Sequence, residues 1–291
     1  MDLILALKKV YKNNAKEQKY FLEEKQWKEL AKCFQLSEKA FLFSCLDFAS
    51  EFAICPTSRF YVGAVGLGES NRLYFGTNIE FDSFPLNMSI HAEQCLIAMA
   101  YSQNEVGLKE IYISSFPCGH CRQFMTEIDD YSNIKIRIKS HPKKTFYLNE
   151  LLPFPFGPQE LKVKERLFSQ NNSKRKKIEL KSASLEINSI LQKLDIGLLY
   201  SYSPYTKTPS SVVFELENKK IFIGFSVESC AYNPTMSAFQ TAFLQLVMSY
   251  EKLEKLKYVY LLKEKNSFSR DELNLRNILK KLMPQAKLIL I

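Results

Sequence analysis

The sequence predicts a layered α/β protein built from two copies of one domain, and three observations support that reading. Strand-like and helix-like segments alternate from residue 60 to residue 138, the pattern of strands layered against helices. A later stretch repeats an earlier one. Tyr74-Phe75-Gly76-Thr77-Asn78-Ile79-Glu80 and Phe222-Ile223-Gly224-Phe225-Ser226-Val227-Glu228 are both strands that run into a glycine with an acidic residue four positions on. Each is followed by a proline-containing loop and an apolar helix, and such self-similarity points to duplication. Finally, 291 residues with 46 % hydrophobic and 24 % charged side chains suffice for two small domains with cores of their own.

In chain order, the first ~55 residues read as helical. Ser37 is placed to cap a helix with Glu38 in its first turn. Phe41, Leu42, Cys45, Leu46, Phe48, Ala49, Phe52 and Ala53 then recur at helical spacing, and Pro56 ends the segment. Phe60 to Val65 and Leu73 to Phe75 read as strands around a turn at Gly66 to Asn71. Ile90 to Tyr101 is a helix, Ile111 to Ser114 a strand, Cys118 to Ile128 a helix and Ile134 to Ile138 a strand. Residues 169–181 are polar and basic and read as a linker. In the second copy, Met236 to Tyr250 is the apolar helix. The organisation expected is therefore an N-terminal helical segment over 1–36, a first α/β domain over 37–168, the linker, and a second α/β domain over 182–291.

A net charge of +9 raises the question of nucleic acid. The basic residues are spread out, however, and the only dense run is Lys174-Arg175-Lys176-Lys177. A lysine-rich surface serving solubility explains that distribution, so nucleic acid is not the expected partner. Seven cysteines, an odd number without regular spacing, read as reduced thiols in a cytoplasmic protein. Cys33, Cys45, Cys55, Cys95 and Cys230 are expected to be small buried hydrophobes, and His141, beside Pro142, a solvated histidine. The apolar stretch Leu3 to Leu7 is too short for a signal-peptide core, and no run approaches the ~20 residues of a membrane helix.

The residues that carry chemistry are His91-Ala92-Glu93 and Pro117-Cys118-Gly119-His120-Cys121, each opening a helix. Cys118 and Cys121 are three apart, which on a first helical turn puts both sulfurs on one face, at the end of the helix dipole that favours thiolates. His91 supplies a third ligand from the other helix, and a tetrahedral zinc ion then keeps its fourth position for water. Zinc brings the pKa of such a water down to about 7. Glu93 need not bind the metal and can instead move protons for that water. Two other readings compete: a redox pair at Cys118 and Cys121, or a structural zinc site with Glu93 or His120 as fourth ligand.

On these residues the chain resembles the cytidine deaminases, whose signature joins H-x-E to P-C-x-x-C, and within them the long homodimeric bacterial form. The resemblance runs from about residue 36 onward. It rests on Arg59-Phe60-Tyr61-Val62-Gly63-Ala64, Tyr74 to Phe81, His91-Ala92-Glu93-Gln94, Pro117 to Met125, and Phe154-Pro155-Phe156-Gly157-Pro158. It implies a three-layer α/β/α cytidine deaminase fold, duplicated into a catalytic and an inactive copy. It also implies hydrolysis of cytidine and 2'-deoxycytidine to the uridines and ammonia in pyrimidine salvage, with Glu93 as proton shuttle to the ring nitrogen and the departing amine. Asn78 and Glu80, flanking Ile79, match the pair that grips the sugar hydroxyl. Phe60 matches an aromatic near the pyrimidine, Ala92 offers backbone groups to the base, and Phe156, with Tyr232 beside it in role, reaches the partner subunit's site. Plain core packing is the competing reading for Phe60, Phe156 and Tyr232. Pro234 to Gln240 stands where the second copy would carry H-x-E and has neither residue, and no cysteine follows Cys230, so one zinc per chain is expected. A deaminase acting on nucleic acid and a non-catalytic zinc-binding dimer are the alternative functions.

Overall fold

The computed structural model describes residues 2–169, 185–262 and 271–291; the linker expected at 169–181 lies outside the described residues except for Ser169. The chain forms two compact units. The first takes in the described residues up to 169 together with Ser229–Pro234, and the second the rest. Among the described residues no helix is long and apolar enough to cross a membrane.

The first unit opens with α1 (Leu3–Lys16), β1 (Phe21–Leu22), α2 (Glu24–Cys33) and α3 (Glu38–Ser50). The sequence predicts helix throughout; the structure interrupts it with β1. Gln18 adopts a left-handed φ of 59°, which ends helical progression, and Tyr20, Phe21 and Leu22 are all buried. The short strand pairs with the sheet edge as Phe21↔Tyr74 and Leu22↔Leu73. Aromatic packing fixes the helices: Tyr11 meets Phe48, Phe52 and Phe75 edge-on. Trp27 stacks on Phe41 while its indole donates to the Asn71 carbonyl at 2.9 Å. Ser37 caps α3 by accepting from the Ala40 N–H at 3.3 Å, and the helix stops at Ser50, six residues before Pro56.

Strands β2 (Gly63–Gly68), β3 (Leu73–Thr77), β4 (Leu108–Ile113) and β5 (Lys135–Ile138) complete a five-stranded sheet in the order β1-β3-β2-β4-β5. Only β4 and β5 run parallel. Strand β2 starts three residues later than Phe60 because the side-chain amide of Asn78 holds the chain at 60–62 apart from the ladder. At its other end it runs through Gly66, where a turn is expected, to a bulge at Leu67/Gly68. Helix α4 (Ala92–Ser102) is followed by the short α5 (Gly119–Met125) and α6 (Leu148–Leu151). A Cβ on Gly63 would strike the backbone of α3, at the Leu46 carbonyl, whereas one on Gly66 would meet Leu96 of α4. Residues an odd number apart in a strand face opposite ways. Helices α3 and α4 therefore cover opposite faces, giving the α/β/α layering.

The second unit contains α7 (Leu185–Tyr200), β6 (Ser211–Leu216), β7 (Ile221–Phe225), α8 (Ala238–Met248), β8 (Leu256–Leu261), α9 (Asp271–Leu282) and β9 (Lys287–Leu290). Its sheet has the order β7-β6-β8-β9 with only the last pair parallel, the first sheet without β1. The duplication extends to details: the bulge recurs at Glu215/Leu216. The parallel bridge Ile54↔Ile79 and antiparallel bridge Ile79↔Ile90 recur as Tyr202↔Val227 and Val227↔Met236. Ile190, Leu191, Leu194 and Val213 form a core cluster between α7 and the sheet.

One close approach recurs in both units. A Cβ on Gly76 would lie 2.3 Å from the Ala92 carbonyl oxygen, and one on Gly224 1.9 Å from that of Ala238. Overpacking of a well-packed site costs about 1–3 kcal/mol. Gly76→Ala is therefore expected to lose stability of that order in urea unfolding, whereas Gly119→Ala, whose methyl meets nothing within 4 Å, should unfold with the wild type. Equal stability of Gly76→Ala and wild type would refute the constraint.

Candidate active site

Every proposed zinc ligand sits at a helix start. His91 is the N-cap of α4 and Cys118 the N-cap of α5, with Cys121 one turn into that helix. The backbone positions the first of these directly. Ile79 and Ile90 exchange two hydrogen bonds, each 2.8 Å, so the extended segment after β3, bearing Asn78 and Glu80, runs beside the residue that precedes His91. Pro117 leads into α5, and its carbonyl is held by the Arg122 side chain at 2.8 Å.

His91, Cys118 and Cys121 come together as a group able to hold a metal ion. His91 Nδ1 lies 3.4 Å from Cys118 Sγ and 3.3 Å from Cys121 Sγ, and the sulfurs are 3.6 Å apart. Zinc with ordinary bond lengths in tetrahedral geometry sets two sulfurs about 3.8 Å apart and a nitrogen about 3.5 Å from each. The triangle fits that ion with slight expansion. Cys118 is exposed and Cys121 buried.

Protons are unevenly shared among these groups. Its contact with Cys121, and then that with His91, brings the Cys118 thiol down to about 3. The adjacent Cys118 sulfur and burial push Cys121 well above the usual thiol range. The bond to the Cys118 thiolate raises His91. The raised Cys121 and His91 favour protons that a divalent cation would displace. Burial, above all, raises the carboxyl of Glu93, which is 4 % exposed and accepts from Cys121 at 3.2 Å. His120 stands outside the ligand group: its ring stacks on His91 at 5.1 Å, and burial keeps it below the ordinary histidine range.

The remaining candidates fall into two sets. Asn78 uses its carboxamide on the chain itself, Oδ1 accepting from Val62 N and Nδ2 donating to the Phe60 carbonyl, both at 2.8 Å. Glu80 Oε2 accepts from the N–H groups of Thr57 and Ser58 at 2.9 and 3.0 Å. Burial tends to raise Glu80, but the Ser58 side chain together with those two N–H groups outweighs it and holds the carboxyl below its usual range. Ile79 and Ala92 are buried beside them. Phe60, Phe156 and Tyr232 are 57 %, 47 % and 65 % exposed, which rules out core packing within the chain for all three. Of the five cysteines expected to be buried, Cys33 is exposed and the other four are buried. Cys33 lies in the last turn of α2, whose buried face carries Trp27 and Ala31. His141 is exposed, as expected, with its ring edge against Phe116.

Sequence reasoning assigned no role to Gln94. Its Oε1 accepts from His91 N at 3.0 Å, and its Nε2 donates to the Pro234 carbonyl at 2.8 Å and lies 3.2 Å from His120 Nε2. A signal was present: Gln240 stands at the matching place and binds Ser237 N in the same way at 2.8 Å.

A family model described as "Cytidine and deoxycytidylate deaminase zinc-binding region" matches residues 36–136, and a second of the same description matches 148–273. A protein named cytidine deaminase from Vibrio vulnificus is 34 % identical over 231 residues, 79 % of this chain and 75 % of that protein. One of the same name from Aliivibrio fischeri is 32 % identical over 249 residues, 85 % of this chain and 80 % of that protein. The crystal structure of cytidine deaminase from Mycobacterium tuberculosis is similar to 42 % of this chain and 98 % of its own, at 29 % identity and a TM-score of 0.38. With both units matched and relatives aligned over most of their length, the chain belongs to the zinc-binding cytidine and deoxycytidylate deaminase family.

Proposed function

We propose that this chain hydrolyses cytidine and 2'-deoxycytidine to uridine and deoxyuridine with release of ammonia, as a homodimeric cytoplasmic enzyme of pyrimidine salvage. The observation that carries the reading is the triangle of His91, Cys118 and Cys121 with the buried carboxyl of Glu93 against it. Zinc held by those three residues supplies a water that ionises near neutrality. Glu93, kept from water and raised by burial, takes up a proton at its carboxylate. It returns that proton to the pyrimidine ring nitrogen and passes a further one to the leaving amine, so that cytidine and water become uridine and ammonia. Ala92, the first residue of α4, offers backbone groups to the base.

Asn78 and Glu80 divide the sugar's recognition differently from a simple joint grip. Asn78 is committed to shaping residues 60–62, which carry Phe60, and keeps one N–H of its amide. Glu80 offers a carboxylate held below its usual range to a sugar hydroxyl. A carboxylate there accepts from a free hydroxyl and repels a phosphate, which favours nucleosides over polynucleotides. The exposed Phe60, Phe156 and Tyr232 form apolar surface of the sort a second copy covers, and seven free cysteines suit a reducing compartment.

Because the metal must displace protons from Cys121 and His91, zinc affinity should rise with pH: chelator competition at about pH 6 is expected to strip the metal more readily than at about pH 8. Metal analysis should find one zinc per chain, and two would contradict the inactive second copy. In steady-state kinetics, Glu93→Gln should keep its zinc and lose roughly 10²–10⁴-fold in kcat; loss of the metal instead would make Glu93 a ligand. In the same assays Glu80→Gln should raise KM for cytidine about tenfold or more, the worth of a hydrogen bond to a charged group, and an unchanged KM would count against its sugar role. Sedimentation velocity should show a dimer; a monomer with full activity would remove the partner from the site.

A further inference from the structure

The segment Ser229–Pro234 lies in sequence between β7 and α8, yet it belongs to the first unit. It is a tight turn: Tyr232 N donates to the Ser229 carbonyl at 2.9 Å and Asn233 N to that of Ala231 at 2.7 Å, with Tyr232 at a left-handed φ of 61°. A bulky residue in that region is strained and persists only where its surroundings fix it.

Two buried side chains, one in α4 and one just beyond α5, do the fixing. Gln94, 3 % exposed, spans from the His91 N–H to the Pro234 carbonyl. The orientation of its amide follows from its partners, since Pro234 offers only an acceptor and His91 N only a donor. Glu127, fully buried just beyond α5, accepts from Cys230 N at 2.7 Å. The same turn also reaches the chain around Phe156, because the Cys230 thiol donates to the Phe156 carbonyl at 3.0 Å.

We infer that Gln94 is a positioning residue that locks the metal-binding His91 to the turn 229–234, making a piece of the inactive copy a brace for the catalytic centre. The amide is buried and bonded at both ends, so a movement of the turn is passed to the backbone of His91. Partners that orient a metal ligand typically matter by 10–100-fold in affinity or activity. This rests on His91 being a zinc ligand, as proposed above.

Gln94→Glu separates the two halves of the bridge. One carboxylate oxygen still accepts from His91 N, while the other meets the Pro234 carbonyl and repels it. The variant is expected to keep one zinc per chain, to lose about tenfold or more in kcat with little change in KM for cytidine, and to exchange amide hydrogens faster across 229–234. With cobalt in place of zinc, its visible spectrum should shift from that of the wild type. Wild-type kcat, or unchanged exchange in the turn, would overturn the inference. If Gln94→Glu does not fold, the wild type supplies the test: removing zinc should speed exchange at 229–234, and unchanged exchange would again overturn it. A His91→Asn variant that bound zinc with full affinity would sink the ligand assignment itself, a result separable from either of these.

Discussion

The backbone contact between α4 and β3 is the constraint on which the site depends. The Ala92 carbonyl sits where any side chain at position 76 would have to go, and the paired hydrogen bonds of Ile79 and Ile90 finish the junction. Together they set the start of α4 against the end of β3. His91 and Glu93, one at the cap and the other in the first turn, inherit their places from that contact. Asn78 and Glu80 inherit theirs from the strand side. The ligand triangle then needs only α5 to arrive with its cysteines three apart. A site built on helix ends and a strand end is held by main-chain packing, so its precision does not depend on long flexible side chains.

The two units separate what the fold needs from what the chemistry needs. Gly76 and Gly224 keep the helix close; Glu80 and Glu228 each accept from two successive N–H groups of the preceding loop; Gln94 and Gln240 each bind the N–H of the cap residue. All of these persist in the inactive copy. His91 is replaced by Ser237, a good cap that accepts from Gln240 N, and Glu93 by the buried Phe239, which removes the cost of desolvating a carboxylate. The copy without chemistry has thus drifted toward what a helix start and an apolar core prefer, while keeping the contacts that define the domain.

That separation also explains what could be read from the sequence. The alternation of elements, the duplication and the grouping of His91, Cys118 and Cys121 were legible because each rests on local spacing: three residues on a helix turn, one glycine in a strand, one proline before a cysteine. The strand β1 was not, since two apolar residues carry no period and their pairing with Leu73 and Tyr74 is set by the edge they find. The start of β2 was missed for a similar reason: a side-chain amide sixteen residues on decides where the ladder begins. The bridge of Gln94 to Pro234 spans 140 residues, a separation at which no local pattern operates.

Two carboxylates near one another in sequence end in opposite states, and their surroundings decide which. Glu93 is buried against the cysteine sulfur, and burial raises it; Glu80 is bonded by the Ser58 side chain and two N–H groups, which depress it against the pull of burial. Pairs of acids whose environments push them apart are how one site assigns proton transfer to one and charge recognition to the other. The raised acid is suited to taking and giving a proton, and the depressed one to remaining an acceptor. The net charge of +9 does not alter this division, because the selecting charge is local. In the sugar-binding role proposed for Glu80, a fixed negative oxygen would discriminate against phosphate at contact distance, where the diffuse positive field of the surface is screened by salt.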